Sequence, residues 1–262
     1  MKKTTYVAKL PDENGHIAYT PEEDSVWQIL YERQIKTLEG RACEEYLEGL
    51  HQLNLPTHRV PQCNEVSEVL TKATGWSIAP VPALIPFDTF FTMLANKQFP
   101  AASFIRCREE LDYLQEPDIF HEIFGHAPLL TNTVYADFVY TYGKIGLAAS
   151  HAERVLLARL FWFTIEFGLI QTSVGLRAYG AGILSSHSET IYAVESQIPQ
   201  RVPFTAMDAL RMPYRYDIIQ TLYFVIEKYS SLYELINHDI LGLIREARLL
   251  GEYPPDYPLH GC

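Results

Sequence analysis

Two histidines, His121 and His126, lie five residues apart in a segment whose other members are mostly apolar. Imidazole nitrogens are common metal ligands, and apolar neighbours draw such side chains towards the protein interior. Five residues of an ideal α-helix turn the chain through about 500°, which would leave the two side chains about 140° apart. They converge only if the helix breaks or bulges between them, and Gly125 is a residue that permits a break.

Glu166 is the third residue with ligand chemistry, because it stands in the apolar stretch from Leu160 to Ile170. A buried carboxylate loses its hydration unless it is protonated, paired with a cation or bound to a metal. Arg159 offers an ion pair on the same helical face. A metal meets the same need, and with His121 and His126 the acid would form a two-histidine, one-carboxylate set. Such a set leaves coordination positions open, as oxygen-activating iron(II) requires, although zinc accepts the same ligand types.

Other interpretations of these residues stay open. The two histidines could be hydrogen-bonded core residues of a helical binding module, and Glu122 could be an exposed helix acid. Alternatively, Glu122 could activate a metal-bound water in a zinc hydrolase. The spacing argues against that hydrolase, because the HExxH pattern of zinc proteases places its ligands four residues apart on one helical face.

The composition limits the partners and the compartment. The chain has 262 residues and a net charge of −11, so it would repel a phosphate backbone, and a nucleic-acid partner is not expected. No apolar run reaches the roughly 20 residues of a membrane span, and no signal-peptide pattern follows the basic start. The scattered cysteines Cys43, Cys63, Cys107 and Cys262 indicate neither a zinc ribbon nor a disulfide framework. We expect a cytoplasmic protein that binds no membrane.

Helical patterns dominate the elements that must position these residues. Thr20 and Pro21 mark a helix start, with a capping hydroxyl followed by proline at the first helical position. The apolar spacing predicts further helices at about 42–53, 64–74, 87–94, 117–126, 134–148, 151–170, 216–229 and 231–248, with extended chain over 76–86 and a short strand over 99–105. The predicted architecture is an irregular N-terminal arm, residues 1–19, and a single catalytic domain, residues 20–262, mainly α with a few short strands.

The ordered motifs of the chain resemble those of the pterin-dependent aromatic amino acid hydroxylases, most closely the short bacterial members that act on phenylalanine. The matching segments are FIR at 104–106, EELDYLQEPD at 109–118, HEIFGHAP at 121–128, WFTIEFGL at 162–169 and AYGAGILSS at 178–186, followed by Glu189. Together with earlier matches they extend the resemblance over about residues 20 to 230. The resemblance implies the aromatic amino acid hydroxylase catalytic-domain fold.

The resemblance also implies a reaction. Members of the family hydroxylate an aromatic ring with O2 as co-substrate and tetrahydrobiopterin as electron donor. They bind iron(II) through the residues that match His121, His126 and Glu166. We expect phenylalanine 4-monooxygenase activity, which converts L-phenylalanine to L-tyrosine, with tryptophan as the alternative substrate. Tyrosine is not expected as a substrate, because the resemblance matches no residue here to the aspartate that tyrosine hydroxylases have near the position of Tyr216.

The same resemblance assigns roles around the substrate. The matching residues are Arg106, Pro117, Asp118, Trp162, Ser185 and Glu189, of which the last two would form a pair near the iron and the substrate. Arg106 would clamp the substrate carboxylate through its planar guanidinium, and Asp118 would hold Arg106 in place. Pro117 and Trp162, together with His121, would form a wall against the substrate ring.

The pterin site is assigned by the resemblance alone. Phe90 would stack on the pterin ring, and Glu122 would reach it through water. The backbone of Ala83, Leu84 and Ile85 would form hydrogen bonds with the polar edge of the pterin.

Several departures from the family pattern bear on these expectations. Phe161 stands where many members have a tyrosine beside the iron and the pterin, and Leu114 stands where animal members have a threonine near the substrate. Neither the regulatory domain nor the C-terminal tetramer helix of animal members is matched. We therefore expect a monomer or a small homo-oligomer whose partners are a small amino acid and a pterin.

Overall fold

Helices form most of the chain in the computed structural model, which describes residues 6–82, 85–112, 114 and 116–255. In chain order, α-helices α1 to α11 cover Pro21–Leu38, Glu44–Leu53, Cys63–Thr74, Phe87–Leu94, Thr133–Ala148, His151–Phe161, Ala181–Leu184, His187–Glu195, Ala206–Arg211, Ser230–Ile236 and Ile240–Leu250. Strands β1 to β6 cover Ser77–Val81, Gln98–Ala102, Leu169–Thr172, Gly175–Ala178, Gln200–Pro203 and Leu222–Ile226. Two π-helical segments cover Phe120–His126 and Trp162–Glu166, and two 3-10 turns cover Arg108–Glu110 and Leu129–Thr131. The predicted mainly α architecture with few short strands is confirmed.

Local capping signals explain where the long helices begin. At the start of α1, the Thr20 hydroxyl accepts a hydrogen bond from the Glu23 amide at 3.3 Å, and the Glu23 carboxylate accepts one from the Thr20 amide at 2.7 Å. Ser150 and Glu153 repeat this reciprocal arrangement at the start of α6. Such capping boxes satisfy amide groups that the first helical turn leaves without partners.

The strands form two small sheets. Strands β1 and β2 pair in parallel, and the second sheet has the order β4-β3-β6-β5, in which β3 and β4 are antiparallel and the other pairs are parallel. The predicted helix over 216–229 is wrong, because this range contains bends followed by β6. A short continuous apolar run such as Leu222–Ile226 has the same hydrophobic pattern in a buried strand and in a buried helix.

Two other helical predictions are corrected in their bounds. The stretch predicted as one helix over 151–170 is α6, a π-helical continuation and then β3. The last predicted helix, 231–248, is divided into α10 and α11, with Asp239 capping the second through a hydrogen bond from Gly242 at 2.8 Å.

Glycines bring α5 close to α4. A Cβ atom on Gly143 would lie 2.6 Å from the Leu94 side chain, and one on Gly146 would lie 2.0 Å from the Phe91 ring. No real side chain tolerates these distances, so the two helices pack at a separation that only glycine allows. This packing places α4 against the cavity described below.

Residues 6–19 form an extended arm with no helix or strand. The Tyr6 ring stacks on Phe104 with 4.5 Å between centroids, and the Tyr19 hydroxyl donates a hydrogen bond to the Ser103 carbonyl at 3.0 Å. The arm therefore crosses the chain just before Arg106. Within the ranges that the structure describes, no helix has the length and apolar character needed to cross a membrane.

Candidate metal centre and substrate cavity

Three potential metal donors meet at one point. The Nε2 atoms of His121 and His126 lie 3.2 Å apart. The Glu166 carboxylate places Oε1 3.1 Å from Nε2 of His126 and Oε2 3.5 Å from Nε2 of His121. All three donor atoms fall within 4.8 Å of one another. The structure therefore brings together the residues that the sequence selected as metal ligands.

A π-helical turn, rather than a break, makes the two histidines converge. Segment Phe120–His126 is continuous, and i→i+5 hydrogen bonding widens its turn, so residues five apart come to lie nearly above one another. Of the two expected routes to convergence, a break or a bulge, the structure has the bulge, and Gly125 does not interrupt the segment. A Cβ atom on Gly125 would lie 3.0 Å from the Ala181 carbonyl oxygen, so this glycine instead allows α7 to pack closely against the histidine segment.

Ser185 orients the ring of His121. The Ser185 hydroxyl donates to the Ala181 carbonyl at 2.7 Å, so its oxygen is left to accept a hydrogen bond from Nδ1 of His121 at 3.0 Å. A proton on Nδ1 leaves the Nε2 lone pair of a neutral imidazole directed at the other two donors, as metal ligation requires. The predicted role of Ser185 near the metal has this geometric support.

The charges of the cluster also favour a cation. Burial opposes ionisation of Glu166, but His126 and His121 outweigh burial and hold the pKa of Glu166 below its ordinary value. Burial would lower the pKa of His121, yet Glu166 raises it to about 9, whereas burial prevails at His126 and lowers its pKa. Without a metal, these shifts favour positive charge on His121 beside the Glu166 carboxylate. A divalent metal would occupy the same position between the three donors, so the donor set fits such an ion.

Arg106 and Asp118 form a buried ion pair at the edge of this cluster. Asp118 accepts hydrogen bonds from Nε and Nη2 of Arg106 at 2.8 and 2.9 Å, and from the Arg106 amide at 3.0 Å. Burial opposes the charge on Asp118, but Arg106 outweighs it and keeps the pKa of this acid below its ordinary value. Because Asp118 also accepts from the His121 amide at 3.1 Å, it joins the arginine to the histidine segment.

A cavity of about 570 Å³ lies above the donor cluster. The predicted site residues that line it are Ile85, Phe90, Arg106, Pro117, His121, Glu122, His126, Trp162, Glu166, Ser185 and Glu189. Asp118 is fully buried behind Arg106 and does not line the cavity. Ala83 and Leu84 lie outside the described residues. The interpretation of Glu122 as an exposed helix acid is wrong, because Glu122 is partly buried at this wall and burial raises its pKa to about 8.

Aromatic rings form two walls of the cavity. On one wall Trp162 stacks on Tyr214 with 4.4 Å between ring centroids. On the other, Phe90 meets Phe161 edge-on at 5.5 Å, and Phe161 lies 6.3 Å from the His126 ring. Phe161 therefore stands beside the donor cluster without the hydroxyl that many family members have there. The cavity suits a flat aromatic ligand, because ring contacts and a few convergent polar groups surround it.

Sequence reasoning missed two residues behind the Trp162 wall. Gln220 accepts a hydrogen bond from the Trp162 indole at 3.0 Å, and Tyr223 donates one to the Glu189 carboxylate at 2.5 Å. Burial raises the pKa of Glu189 to about 7, and hydrogen bonds from the Tyr223 hydroxyl and the Gln220 backbone amide offset only part of that effect. Neither missed residue belongs to a motif with a recognisable spacing, so only the fold shows their position.

A two-histidine, one-carboxylate cluster below an aromatic cavity is typical of mononuclear non-haem metal enzymes. The family described as biopterin-dependent aromatic amino acid hydroxylase matches residues 2–246. The chain belongs to this family. Membership excludes the interpretation as a metal-free binding module and gives no support to a zinc hydrolase.

Individual relatives agree with this family along almost the whole chain. Phenylalanine-4-hydroxylase of Pseudomonas aeruginosa is 57% identical over 258 residues and is covered over 98% of its length, with 98% of this chain. The apo structure of the cold-active phenylalanine hydroxylase from Colwellia psychrerythraea 34H superposes with a TM-score of 0.94 at 54% identity, over 96% of this chain and 97% of that one. A Chromobacterium violaceum phenylalanine hydroxylase structure with bound oxidised Fe(III) has a TM-score of 0.89 at 46% identity, over 94% of this chain and 89% of that one.

Proposed function

We propose that this protein is a phenylalanine 4-monooxygenase, which converts L-phenylalanine to L-tyrosine with O2 and tetrahydrobiopterin at a mononuclear iron(II) site. The observation that carries the proposal is that the three donors and Arg106 line one aromatic cavity. Relatives named phenylalanine-4-hydroxylase, which match nearly the whole chain, support phenylalanine as the substrate.

Iron(II) would be held by His121, His126 and Glu166. Two imidazoles and a carboxylate without a thiolate suit iron(II), and the relative from Chromobacterium violaceum was solved with iron bound. Bound together, iron(II) and the reduced pterin would supply the activation of O2 and the hydroxylation of the ring. The protein contributes the fixed donor geometry, in which Ser185 holds the His121 ring and Asp118 holds the backbone of the same segment.

The amino acid would bind through its carboxylate to Arg106. Asp118 accepts one hydrogen bond each from Nε and Nη2 of this guanidinium, so the N–H groups of Nη1 and the second N–H of Nη2 remain to hold a carboxylate in a bidentate manner. The substrate ring would then lie between Pro117 and Trp162, above His121. Packing of these apolar surfaces around the ring excludes water from the reacting position.

The pterin would occupy the opposite wall. Phe90 offers a ring for stacking, and Ile85 and Glu122 also line the cavity. The assignments of backbone hydrogen bonds to Ala83 and Leu84 remain predictions from family resemblance. Phe161 contributes ring contacts alone, since it has no hydroxyl to donate.

The remaining expectations are part of the proposal. We infer a cytoplasmic enzyme that acts on small molecules as a monomer or a small homo-oligomer, with residues 20–262 as one catalytic domain and residues 1–19 as an arm. The acidic net charge argues against a nucleic-acid partner. The scattered positions of the cysteines argue against a disulfide framework.

The direct test is an assay for tyrosine formed from phenylalanine, in which iron(II) and tetrahydrobiopterin are each omitted in turn. We expect tyrosine only in the complete mixture and none with Glu166→Ala. Tryptophan is assayed in parallel, because faster turnover of tryptophan would replace phenylalanine as the assigned substrate. Full activity without added pterin, in protein freed of bound cofactor, would refute the proposed reaction.

A further inference from the structure

The buried side-chain amide of Gln220 uses three hydrogen bonds to join two parts of the cavity wall. Its Oε1 accepts from the Trp162 indole at 3.0 Å, and its Nε2 donates to the carbonyl oxygens of Arg215 at 2.9 Å and Ile218 at 3.1 Å. The side chain is almost completely buried, with the residue only 6% exposed. Its backbone amide also donates to the Glu189 carboxylate at 3.3 Å.

The chain from residue 212 to residue 221, here called the cavity segment, connects α9 to β6 without forming a helix or a strand. Tyr214, Tyr216, Ile218 and Ile219 of this segment line the cavity, and Tyr214 stacks directly on Trp162. Tyr216 and Ile219 are also substantially exposed to solvent. Because the segment lacks the regular backbone hydrogen bonds of a helix or strand, side-chain hydrogen bonds to its carbonyl groups bear directly on its conformation.

Resting on the proposed function, we propose that Gln220 is a positioning residue that fixes the cavity segment against the Trp162 ring and thereby sets which aromatic side chain the cavity accepts. The amide is suited to this task because it accepts one hydrogen bond and donates two at the same time. A carboxylate at this position would keep the acceptor but would face two carbonyl oxygens with no donor. A methionine side chain would have a similar length but neither a strong hydrogen-bond acceptor nor a donor.

The consequence for the substrate follows from the geometry. Trp162 and Tyr214 form one stacked wall. Gln220 accepts a hydrogen bond from the indole of the first and donates one to the carbonyl of Arg215, the residue after the second. Loss of the amide would allow the segment to move away from Trp162 and would widen the cavity on the substrate side. The pterin wall, formed around Phe90, is not connected to Gln220 by any of these bonds. Discrimination between phenylalanine and the larger tryptophan should therefore decline, with little effect on the pterin.

The first test needs neither iron nor activity. Of the three tryptophans, Trp27 and Trp76 are fully buried, so acrylamide quenching of the intrinsic fluorescence reports mainly on Trp162. We expect Gln220→Met to raise the quenching constant. The matched control is Gln62→Met, which removes a buried amide bonded to the backbone of Ile17 in the N-terminal arm and should leave quenching unchanged. Equal quenching of Gln220→Met and the unaltered protein would overturn the proposal.

The second test uses turnover. For Gln220→Met we expect the ratio of kcat/KM for phenylalanine over tryptophan to fall by about tenfold, as loss of one or two ordinary hydrogen bonds would allow. The KM for the amino acid should rise while the KM for the pterin stays constant. An unchanged ratio, or an equal rise in both KM values, would contradict the positioning role.

A second pair of variants keeps the inference testable if Gln220→Met folds poorly. Gln220→Glu retains the acceptor for the indole but loses both donors, so it should change the substrate ratio more than the fluorescence quenching. In Trp162→Phe the indole donor is absent, and adding Gln220→Glu to it should give a non-additive effect on the ratio. Strict additivity would show that the two residues act separately. If the unaltered protein hydroxylates neither amino acid but the variants change quenching as expected above, the result counts against the proposed reaction and supports the positioning role.

Discussion

Two buried glutamates in this site have opposite protonation preferences because their neighbours differ. Glu166 faces two imidazoles, which keep its pKa low despite burial, and this favours the ionised form that a metal would bind. Glu189 faces the neutral hydroxyl of Tyr223 and a backbone amide, which do not overcome burial, so its pKa rises to about 7. The first acid thus suits its proposed role as a ligand, and the second suits that of a proton-bearing neighbour of the proposed substrate.

The raised pKa of Glu189 predicts a pH dependence of stability. Between the ordinary glutamate pKa of 4.5 and the folded value of about 7, the unfolded chain has already lost the proton that the folded chain retains. The folded state therefore binds more protons, and the free energy of unfolding falls as the pH rises through this window, by up to about 3 kcal/mol. Denaturant titrations of the metal-free protein at pH 5 and pH 7.5 measure the slope.

Glu189→Gln should remove this part of the slope, because its amide oxygen can still accept from Tyr223 without titrating. Glu195→Gln, at the exposed end of the same helix, is the control and should keep the slope of the unaltered protein. Identical slopes for Glu189→Gln and the unaltered protein would contradict the assigned shift.

At the level of the elements, two π-helical segments determine where the proposed metal donors lie. Both segments that contain the proposed metal donors are π-helical, a type that is rare and often found at functional sites. The widened turn of Phe120–His126 aligns the histidines. The segment Trp162–Glu166 continues directly from α6, and Glu166 is the last residue of that segment. The donor geometry therefore depends on two short stretches of backbone that differ from the regular α-helices around them.

Close packing of α4 and α5 gives a prediction at this level. Alanine would normally favour a helix interior over glycine by about 1 kcal/mol. For Gly146→Ala we expect a loss of about 1–3 kcal/mol instead, because the new methyl group would overlap the Phe91 ring. Leu147→Ala, on the exposed face of the same helix, should change stability by less than about 0.5 kcal/mol. Urea denaturation compares the three proteins, and a Gly146→Ala variant as stable as the parent would show that α4 moves freely.

The chemistry of the site was more predictable from sequence than its backbone. Residue types and apolar surroundings selected His121, His126 and Glu166 without coordinates, because buried donors need a partner of opposite charge. The α-helical periodicity showed that their convergence needs a break or a bulge, but its form could not be derived, since no residue pattern announces a π-turn. Leu222–Ile226 was mistaken for helix because its strand identity comes from pairing with β3 and β5, which lie far away along the chain. Gln220 was missed because its contact with Trp162, 58 residues earlier in the chain, likewise depends on the fold.

At the scale of the whole molecule, metal binding is expected to be coupled to stability. A ligand that binds only the folded state at about 100 times its dissociation constant adds about 2.7 kcal/mol to the free energy of unfolding. For a protein of this size that corresponds to a rise in Tm of about 5–10 °C. We expect this rise when iron(II) is added without oxygen, measured by calorimetry.

Glu166→Ala should lose the iron-dependent rise in Tm, because one of three donors is absent. Glu234→Ala is the control, since it removes a surface carboxylate whose described partner is Lys228. It should keep the rise in full. The same iron-dependent shift in Glu166→Ala would mean that the metal binds elsewhere.

The strand order has a consequence for the synthesis of the protein. Strand β6 lies between β3 and β5, both of which precede it in the chain, so the four-stranded sheet is completed only when residue 226 becomes available. Glu166 itself follows His126 by 40 residues. A nascent chain on the ribosome therefore contains both histidines before it contains Glu166. The complete four-stranded sheet can form only later still, after β6 has been synthesised. Iron loading should accordingly be a late event, completed on a finished and largely folded polypeptide.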